Sequence, residues 1–214
     1  MSPGSPPPGD GAHTDLLIGT HNRGKVEEIE RLLAGGPWRC HALPEGTDEY
    51  LETGDTFADN ARGKALYYAQ LTGRVTLADD SGLEIDALHG EPGVYSARYI
   101  DPELSQQQRN LAVLERLVDV ADEARGARFV CHVVLALPDA VVHEQCGVCN
   151  GRITRQPHGT AGFGYDPIFR AVGDTRTFAE LSREEKSRRS HRGKAINAMT
   201  EFLRGWSPDS RHGA

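Results

Sequence analysis

The sequence predicts an α/β protein built around one sheet, and three observations carry that expectation. Short apolar runs alternate along the chain with stretches whose apolar residues recur at helical spacing. Two runs with strand character, residues 128–137 and 141–148, flank Pro138-Asp139 and read as a hairpin. The 214 residues, 38% hydrophobic, are enough to bury one sizeable core.

Residues 15–19 form the first strand-like run. The polar segment Thr20-His21-Asn22-Arg23-Gly24-Lys25 follows, and Val26, Ile29, Leu32 and Leu33 then share one helical face. Strand, loop and helix in this order let backbone amides and a helix N-terminus converge, a common way to hold phosphate. A single glycine before the lysine is not the P-loop spacing, so the segment alone does not name its ligand.

A second helix is predicted over about 57–71, with Phe57, Ala58, Ala61, Ala65 and Ala69 as a narrow stripe whose small residues imply close packing. Thr56 is its expected N-cap, Asp59 favours its first turn, and Lys64 lies on a different face. Glu52-Thr53-Gly54, just upstream, reads as a polar turn that could bring a carboxylate to the same place.

The apolar run 75–78 reads as a strand that ends at Asp79 and Asp80. With Ser81-Gly82 the pair taken alone reads as a polar turn. Neighbouring like charges also raise each other's pKa, the more so when buried, and a divalent metal would relieve that conflict. Leu83, Ile85 and Ala87 alternate with polar residues before a turn at 90–93, and 94–99 completes two short strands or an irregular hairpin.

Leu111, Leu114, Leu117, Val118 and Ala121 predict a long helix over about 105–124. Beyond the hairpin, segment 159–167 sets Phe163 and Tyr165 among Gly159, Gly162 and Gly164. Glycine permits close backbone approach and an aromatic can stack on a base, so a ligand-facing loop is expected there. Ser182 and Glu185 form a capping box that opens a short helix carrying Lys186. A last helix over about 191–203 turns Ile196, Met199 and Leu203 inward.

Composition excludes several roles. The net charge of −7 makes the surface as a whole repel nucleic acid and anionic membranes. No apolar stretch reaches the roughly 20 residues of a membrane span, so a cytoplasmic protein without membrane or nucleic-acid partners is expected. Residues 1–13 and 207–214 read as disordered tails around one domain at 14–206. Cys40, Cys131, Cys146 and Cys149 lack the spacing of a zinc site and are expected to be reduced. Cys146 and Cys149, three apart in a strand, should face opposite sides.

Only four of the 24 basic residues are lysines, Lys25, Lys64, Lys186 and Lys194. An ammonium suits a single phosphate oxygen where guanidinium is a wide fork, so the retained lysines are candidate ligand contacts. Lys186, Arg188, Arg189, His191, Arg192 and Lys194 cluster near the C-terminal end of this acidic chain, the pattern of a phosphate or base pocket. A phosphate loop, paired carboxylates, a Gly-aromatic loop and this cluster together describe a nucleoside triphosphate site with a metal.

At this point the chain resembles the inosine triphosphate pyrophosphatase family. The resemblance runs from Leu16 to Leu203 through Thr20 to Lys25, Glu52-Thr53-Gly54, Asp59-Asn60-Ala61, Ala78 to Leu83, Pro92 to Tyr99, Gly162 to Pro167, Lys186 and Ser190 to Gly193. It implies an elongated, long mixed β-sheet flanked by helices, with two lobes around a central nucleotide cleft, in a homodimer. It implies Mg²⁺-dependent cleavage of deaminated purine nucleoside triphosphates such as ITP, dITP and XTP to the monophosphate and pyrophosphate.

By the same resemblance Asp80 is the general base and a metal ligand, with Glu52 and Asp79 as further metal partners. Lys25, Lys64 and Asn22 would hold the triphosphate, with Thr20 and His21 lining the loop, and Arg23, Gly24, Ser81, Gly164 and Tyr165 would also bind substrate. Phe163 would stack on the purine, while Lys186, His191 and Arg192, with Asp166, would form its hydrogen-bonding rim. Two positions depart from the family pattern: His21 stands where glycine is usual, and Asp59 where glutamate is usual. The rival readings are a Maf-type nucleotide pyrophosphatase, against which the Phe163–Asp166 and His191-Arg192-Gly193 segments speak, and a non-catalytic nucleotide-binding module. A module that only binds triphosphate gains nothing from uncompensated carboxylates.

Overall fold

In a computed structural model that describes residues 13–208, capping chemistry sets where the helices begin. Asn22 accepts from the Lys25 amide at the head of α1 (Arg23–Leu33), and Thr56 accepts from the Asp59 amide at the head of α2 (Phe57–Thr72). Ser105 with Gln108 opens α3 (Gln106–Arg116), and Ser182 with Glu185 opens α4 (Arg183–Arg189). Ser190 caps α5 (His191–Arg204) through the Gly193 amide. Each side chain satisfies an amide that has no partner inside its helix.

Among the described residues six strands, β1 (Thr14–Ile18), β2 (Trp38–His41), β3 (Thr76–Ile85), β4 (Gly126–Leu137), β5 (Ala140–Ile153) and β6 (Phe169–Ala171), form one sheet in the order β2-β1-β3-β4-β5-β6. β1 runs parallel to β2 and β3, and every other pairing is antiparallel, so the sheet is mixed as expected. The predicted hairpin is β4–β5, and its strands are longer than their periodicity alone suggested. Short β2 and β6 carry too few apolar residues to have been read from the sequence.

Three expectations are corrected. Asp79 and Asp80 do not end a strand: all ten residues of β3 pair with β4, and the pair lies in its interior, which excludes the turn. The helix predicted over 105–124 stops at Arg116, because the buried Arg125 guanidinium donates to Leu117 O at 2.6 Å and stands in for the next helical turn. A separate 3-10 turn then covers Asp122–Ala124. Residues 94–99 are not a strand, since Ser96 Oγ takes the Leu83 amide at 2.9 Å and 3-10 geometry begins at Gly93.

Among the described residues the core falls into three clusters. α1 and α5 lay Ile29, Leu33, Ile196, Met199 and Leu203 on Leu16, Ile18, Leu77, Val133 and Leu135. On the other face of the sheet the small stripe Ala61, Ala65 and Ala69 meets Ala78, Val134 and Ala136, which permits the close packing read from the sequence. The far ends of β3, β4 and β5 pack Leu83, Ile85, Phe129 and Ile153 against Val113 and Leu117, joined by Tyr165, Phe169 and Phe178. Among the described residues all four cysteines are free, Cys146 exposed and Cys149 buried, as their spacing predicted. The expected tails lie outside the described residues apart from His13, Ser207 and Pro208.

Gly147 on β5 lets the first turn of α5 rest directly on the sheet, because a Cβ there would meet His191 O at 2.1 Å and Ala195 N at 2.7 Å. Both atoms are backbone and cannot swing aside. Gly147→Ala is therefore expected to cost about 1–3 kcal/mol, read as a lower Tm by calorimetry. An unchanged Tm would show that α5 is free to lift.

Candidate active site

The segment after β1 folds back on itself: Thr20 Oγ1 accepts from the Asn22 amide at 3.2 Å, and Asn22 Oδ1 accepts from the Lys25 amide at 3.2 Å. These bonds fix the mouth of α1 over a cleft of about 650 Å³. Thr20, His21, Asn22 and Lys25 line one wall, and Asp80 and Ser81 from β3 with Lys64 from α2 form the floor. Phe163, Gly164, Tyr165, Asp166, Lys186, His191 and Arg192 line the rest of it, with Lys186 and Arg192 reaching back to Glu28 of α1.

The two carboxylates that the sequence places side by side are separated by the strand itself, because successive side chains of a strand point to opposite faces. Asp79 faces α1 and α5. Its Oδ2 accepts from Arg192 Nε at 3.2 Å and Nη2 at 3.1 Å, and lies 3.2 Å from Lys25 Nζ. Burial opposes the charge of Asp79, but Lys25, Arg192 and Lys64 outweigh it and hold the carboxyl well below the usual range. The cations needed beside this pair are thus supplied by the chain.

Asp80 faces α2 and the cleft. Its Oδ1 accepts from the Ser81 amide at 2.9 Å, and its Oδ2 from Asn60 Nδ2 at 3.1 Å. The Asn60 amide is oriented in turn by the Gly54 N–H, which donates to its Oδ1 at 2.7 Å. Burial raises the pKa of Asp80, and Lys25 and Lys64 only partly offset this. A carboxylate made more basic by its surroundings, yet still facing the cleft, suits proton abstraction.

Glu52 reaches the cleft from the segment ahead of α2, bound to Lys64 Nζ and 3.3 Å from Arg98 Nη1. Lys64 Nζ also donates to Asp79 O at 3.2 Å. Burial works against the Lys64 charge, but Glu52, Asp80 and Asp79 hold its pKa above the ordinary lysine value. Among the described residues no three carboxylate, imidazole or thiol groups converge to cage an ion. Asp80 and Glu52 are hard oxygen donors on the cleft wall, a set that fits Mg²⁺ when phosphate oxygens share the ion. Asp79 lies outside that set.

In the C-terminal part of the cleft Lys186 Nζ donates to Asp166 Oδ2 at 2.7 Å and to Glu28 Oε1 at 2.6 Å, leaving one of its N–H groups over. Arg192 Nη1 donates to Glu28 Oε2 at 2.5 Å, and its Nη2 to Ser81 Oγ at 2.7 Å. Both cations lie against Phe163, at 4.7 Å and 5.5 Å from the ring centre. His191 is stacked on Phe129 with its centroid 4.6 Å away, and burial beside Arg192 and Lys186 holds it neutral. Its buried Nδ1 has no hydrogen-bond partner among the described residues.

Of the residues expected to contact substrate, all line the cleft except Arg23 and Gly24. Gly24 instead backs the Phe163 ring, where a Cβ would come within 2.8 Å. Asp79 does not line the cleft either. Tyr165 reaches it from the core, with its hydroxyl donating to Ser96 O at 2.9 Å. Sequence reasoning missed Glu28, Asn60, Arg98 and Arg109. Asn60 and Arg98 sit in quoted motifs and could have been found there, whereas Glu28 is one acid among several on α1.

Residues 16–202 match the profile of the Ham1 family. A dITP/XTP pyrophosphatase of Gloeobacter violaceus is 48% identical over 184 residues, covering 86% of this chain and 91% of that protein. Another dITP/XTP pyrophosphatase, from Streptomyces coelicolor, is 44% identical over 200 residues, or 89% of this chain and 98% of its own. Among solved structures, a HAM1 protein from Coxiella burnetii superposes with a TM-score of 0.82 at 38% identity, over 90% of this chain and 100% of that one. The Staphylococcus aureus Ham1 protein gives 0.79 at 36% identity, over 90% and 99%. With sequence and fold both matched along nearly the whole described length, the chain belongs to the Ham1 family.

Proposed function

We propose that this enzyme hydrolyses deaminated purine nucleoside triphosphates, dITP, XTP and ITP, to the monophosphate and pyrophosphate with Mg²⁺. The chain is a nucleoside triphosphate hydrolase of the class for which its relatives are named. One observation supports the finer reading above the others: Asp80, buried and held by Asn60 and Ser81, stands between a polyphosphate wall and a pocket rimmed by Lys186, His191 and Arg192.

Asp80 and Glu52 would hold Mg²⁺, which would supply neutralisation of the charge that develops on the departing pyrophosphate. Asp80 takes the proton of the attacking water, and the α1 loop with Lys25 and Lys64 orients the phosphate tail. The free Lys186 N–H and the Arg192 guanidinium meet a purine 6-oxo group. Adenine would turn its amino hydrogens toward those donors, and such a mismatch discriminates strongly. Asp79 has a supporting part: it anchors Lys25 and Arg192 and so ties the phosphate wall to the base wall.

The test is a panel of inosine, xanthosine, guanosine, adenosine and pyrimidine triphosphates, in ribo and deoxy form, with identification of the phosphorus product. Pyrophosphate from the inosine and xanthosine nucleotides, abolished by EDTA and restored by Mg²⁺, is expected. Orthophosphate as product, or a pyrimidine preference as in the Maf-type reading, would overturn the proposal. The homodimer belongs to the proposal and is checked by light scattering. No helix among the described residues is long and apolar enough to cross a membrane, and a cytoplasmic site of action is proposed with the rest.

A further inference from the structure

The cations of the cleft are almost all matched by carboxylates of the chain. Lys25 pairs with Asp79, Lys64 and Arg98 with Glu52, Lys186 with Glu28 and Asp166, and Arg192 with Glu28 and Asp79. Arg109 is the exception. It is carried on α3, lines the cleft and is 8% exposed. Among the described residues no carboxylate lies within ion-pair distance of it. Its Nη2 donates to Pro102 O at 2.8 Å, and its buried Nε has no hydrogen-bond partner among the described residues.

A buried charge is normally either paired or fully hydrogen-bonded. Buried Arg125, which among the described residues also has no carboxylate partner, gives Nε, Nη1 and Nη2 each to a carbonyl, whereas Arg109 has one carbonyl partner and an orphaned Nε at the cleft. A carbonyl oxygen satisfies one N–H and does nothing for the net charge. Arg109 is also held in place: the next residue, Asn110, donates from Nδ2 to Gly164 O at 3.2 Å, which ties this turn of α3 to the loop that carries Phe163. A guanidinium presents its donors as a planar fork that suits phosphate oxygens.

We infer that Arg109 takes a phosphate oxygen of the nucleotide as its counter-ion, making α3 a third side of the substrate site. This rests on the triphosphate reading above. The inference predicts a loss of affinity for phosphorylated ligands alone. A purely structural Arg109, clamping Pro102 O, would instead weaken all ligands together or act only through stability.

Calorimetric titration of wild type, Arg109→Gln and Arg109→Lys with inosine, inosine monophosphate and inorganic pyrophosphate separates these cases, with Tm measured on each protein. Glutamine can still donate to Pro102 O but carries no charge, whereas lysine keeps the charge. Arg109→Gln is expected to weaken monophosphate or pyrophosphate binding by about tenfold or more, in keeping with a charge-assisted hydrogen bond, with inosine unaffected and with partial rescue by lysine. Wild-type affinity in the glutamine variant, or an equal loss for inosine, would overturn the role of Arg109 while leaving the hydrolase reading intact. Failure of wild type itself to bind any of the three would instead count against the nucleotide reading.

Discussion

Asp80→Asn is expected to lower kcat by about 10²–10⁴-fold, the range that a positioned general base supplies. The substitution keeps shape and removes basicity. It also sets an amide against a fixed donor, because Asn60 cannot turn its oxygen toward residue 80 without giving up the Gly54 N–H. Whichever way the new amide turns, it meets the donor of Asn60 or of the Ser81 amide, so a stability loss of about 1–3 kcal/mol should accompany the loss of rate. Single-turnover pyrophosphate release together with Tm separates the two effects. Turnover within about tenfold of wild type would remove Asp80 from the role of base.

The second large effect falls on folding. Asp79→Asn would strip two buried or nearly buried cations, Arg192 and Lys25, of their shared carboxylate. Removing one partner of such a cluster costs about 3–5 kcal/mol, and in a chain of this size that lowers Tm on the order of 10 °C. The pH dependence has a definite sign. The Asp79 carboxyl is held below its ordinary value of 3.8, so its contribution is complete above that pH and is lost as pH falls toward the folded-state pKa. The gap in urea stability between wild type and variant should be full at pH 7 and shrink below about pH 4. A gap that stays constant through that window would show that the ionised carboxylate is not what stabilises the cluster.

Much of the fold was legible because its signals are local. Thr56 and the Ser182–Glu185 box cap α2 and α4 as read, and the alanine stripe of α2 announced its own close packing. The caps at Asn22, Ser105 and Ser190 are equally local but were not read. Failures came where a distant group intervened. Nothing near Arg116 ends α3; Arg125, arriving from beyond a turn, does so. Nothing in Val94–Tyr99 forbids a strand, yet a serine hydroxyl occupies the amide that would have joined it.

The candidate site divides in the same way. Residue types and spacing marked Lys25, Lys64, Lys186 and the pair Asp79-Asp80 as chemistry-bearing. They also suggested that the pair shares one task, which the alternation of β3 contradicts by sending Asp79 to two cations and Asp80 to the cleft.

What the sequence determined by itself was the order of the main strands and helices, the caps of α2 and α4, the apolar faces and the inventory of charged groups. These follow from interactions across a few residues and survive in any reading of the chain. Which charge answers which was decided only by tertiary structure, for Asp79 meets Lys25 across 54 positions and Arg192 across 113. Coulomb interactions depend on distance and burial rather than on sequence separation, so neither the matched clusters nor the unmatched Arg109 exists until the helices have docked on the sheet.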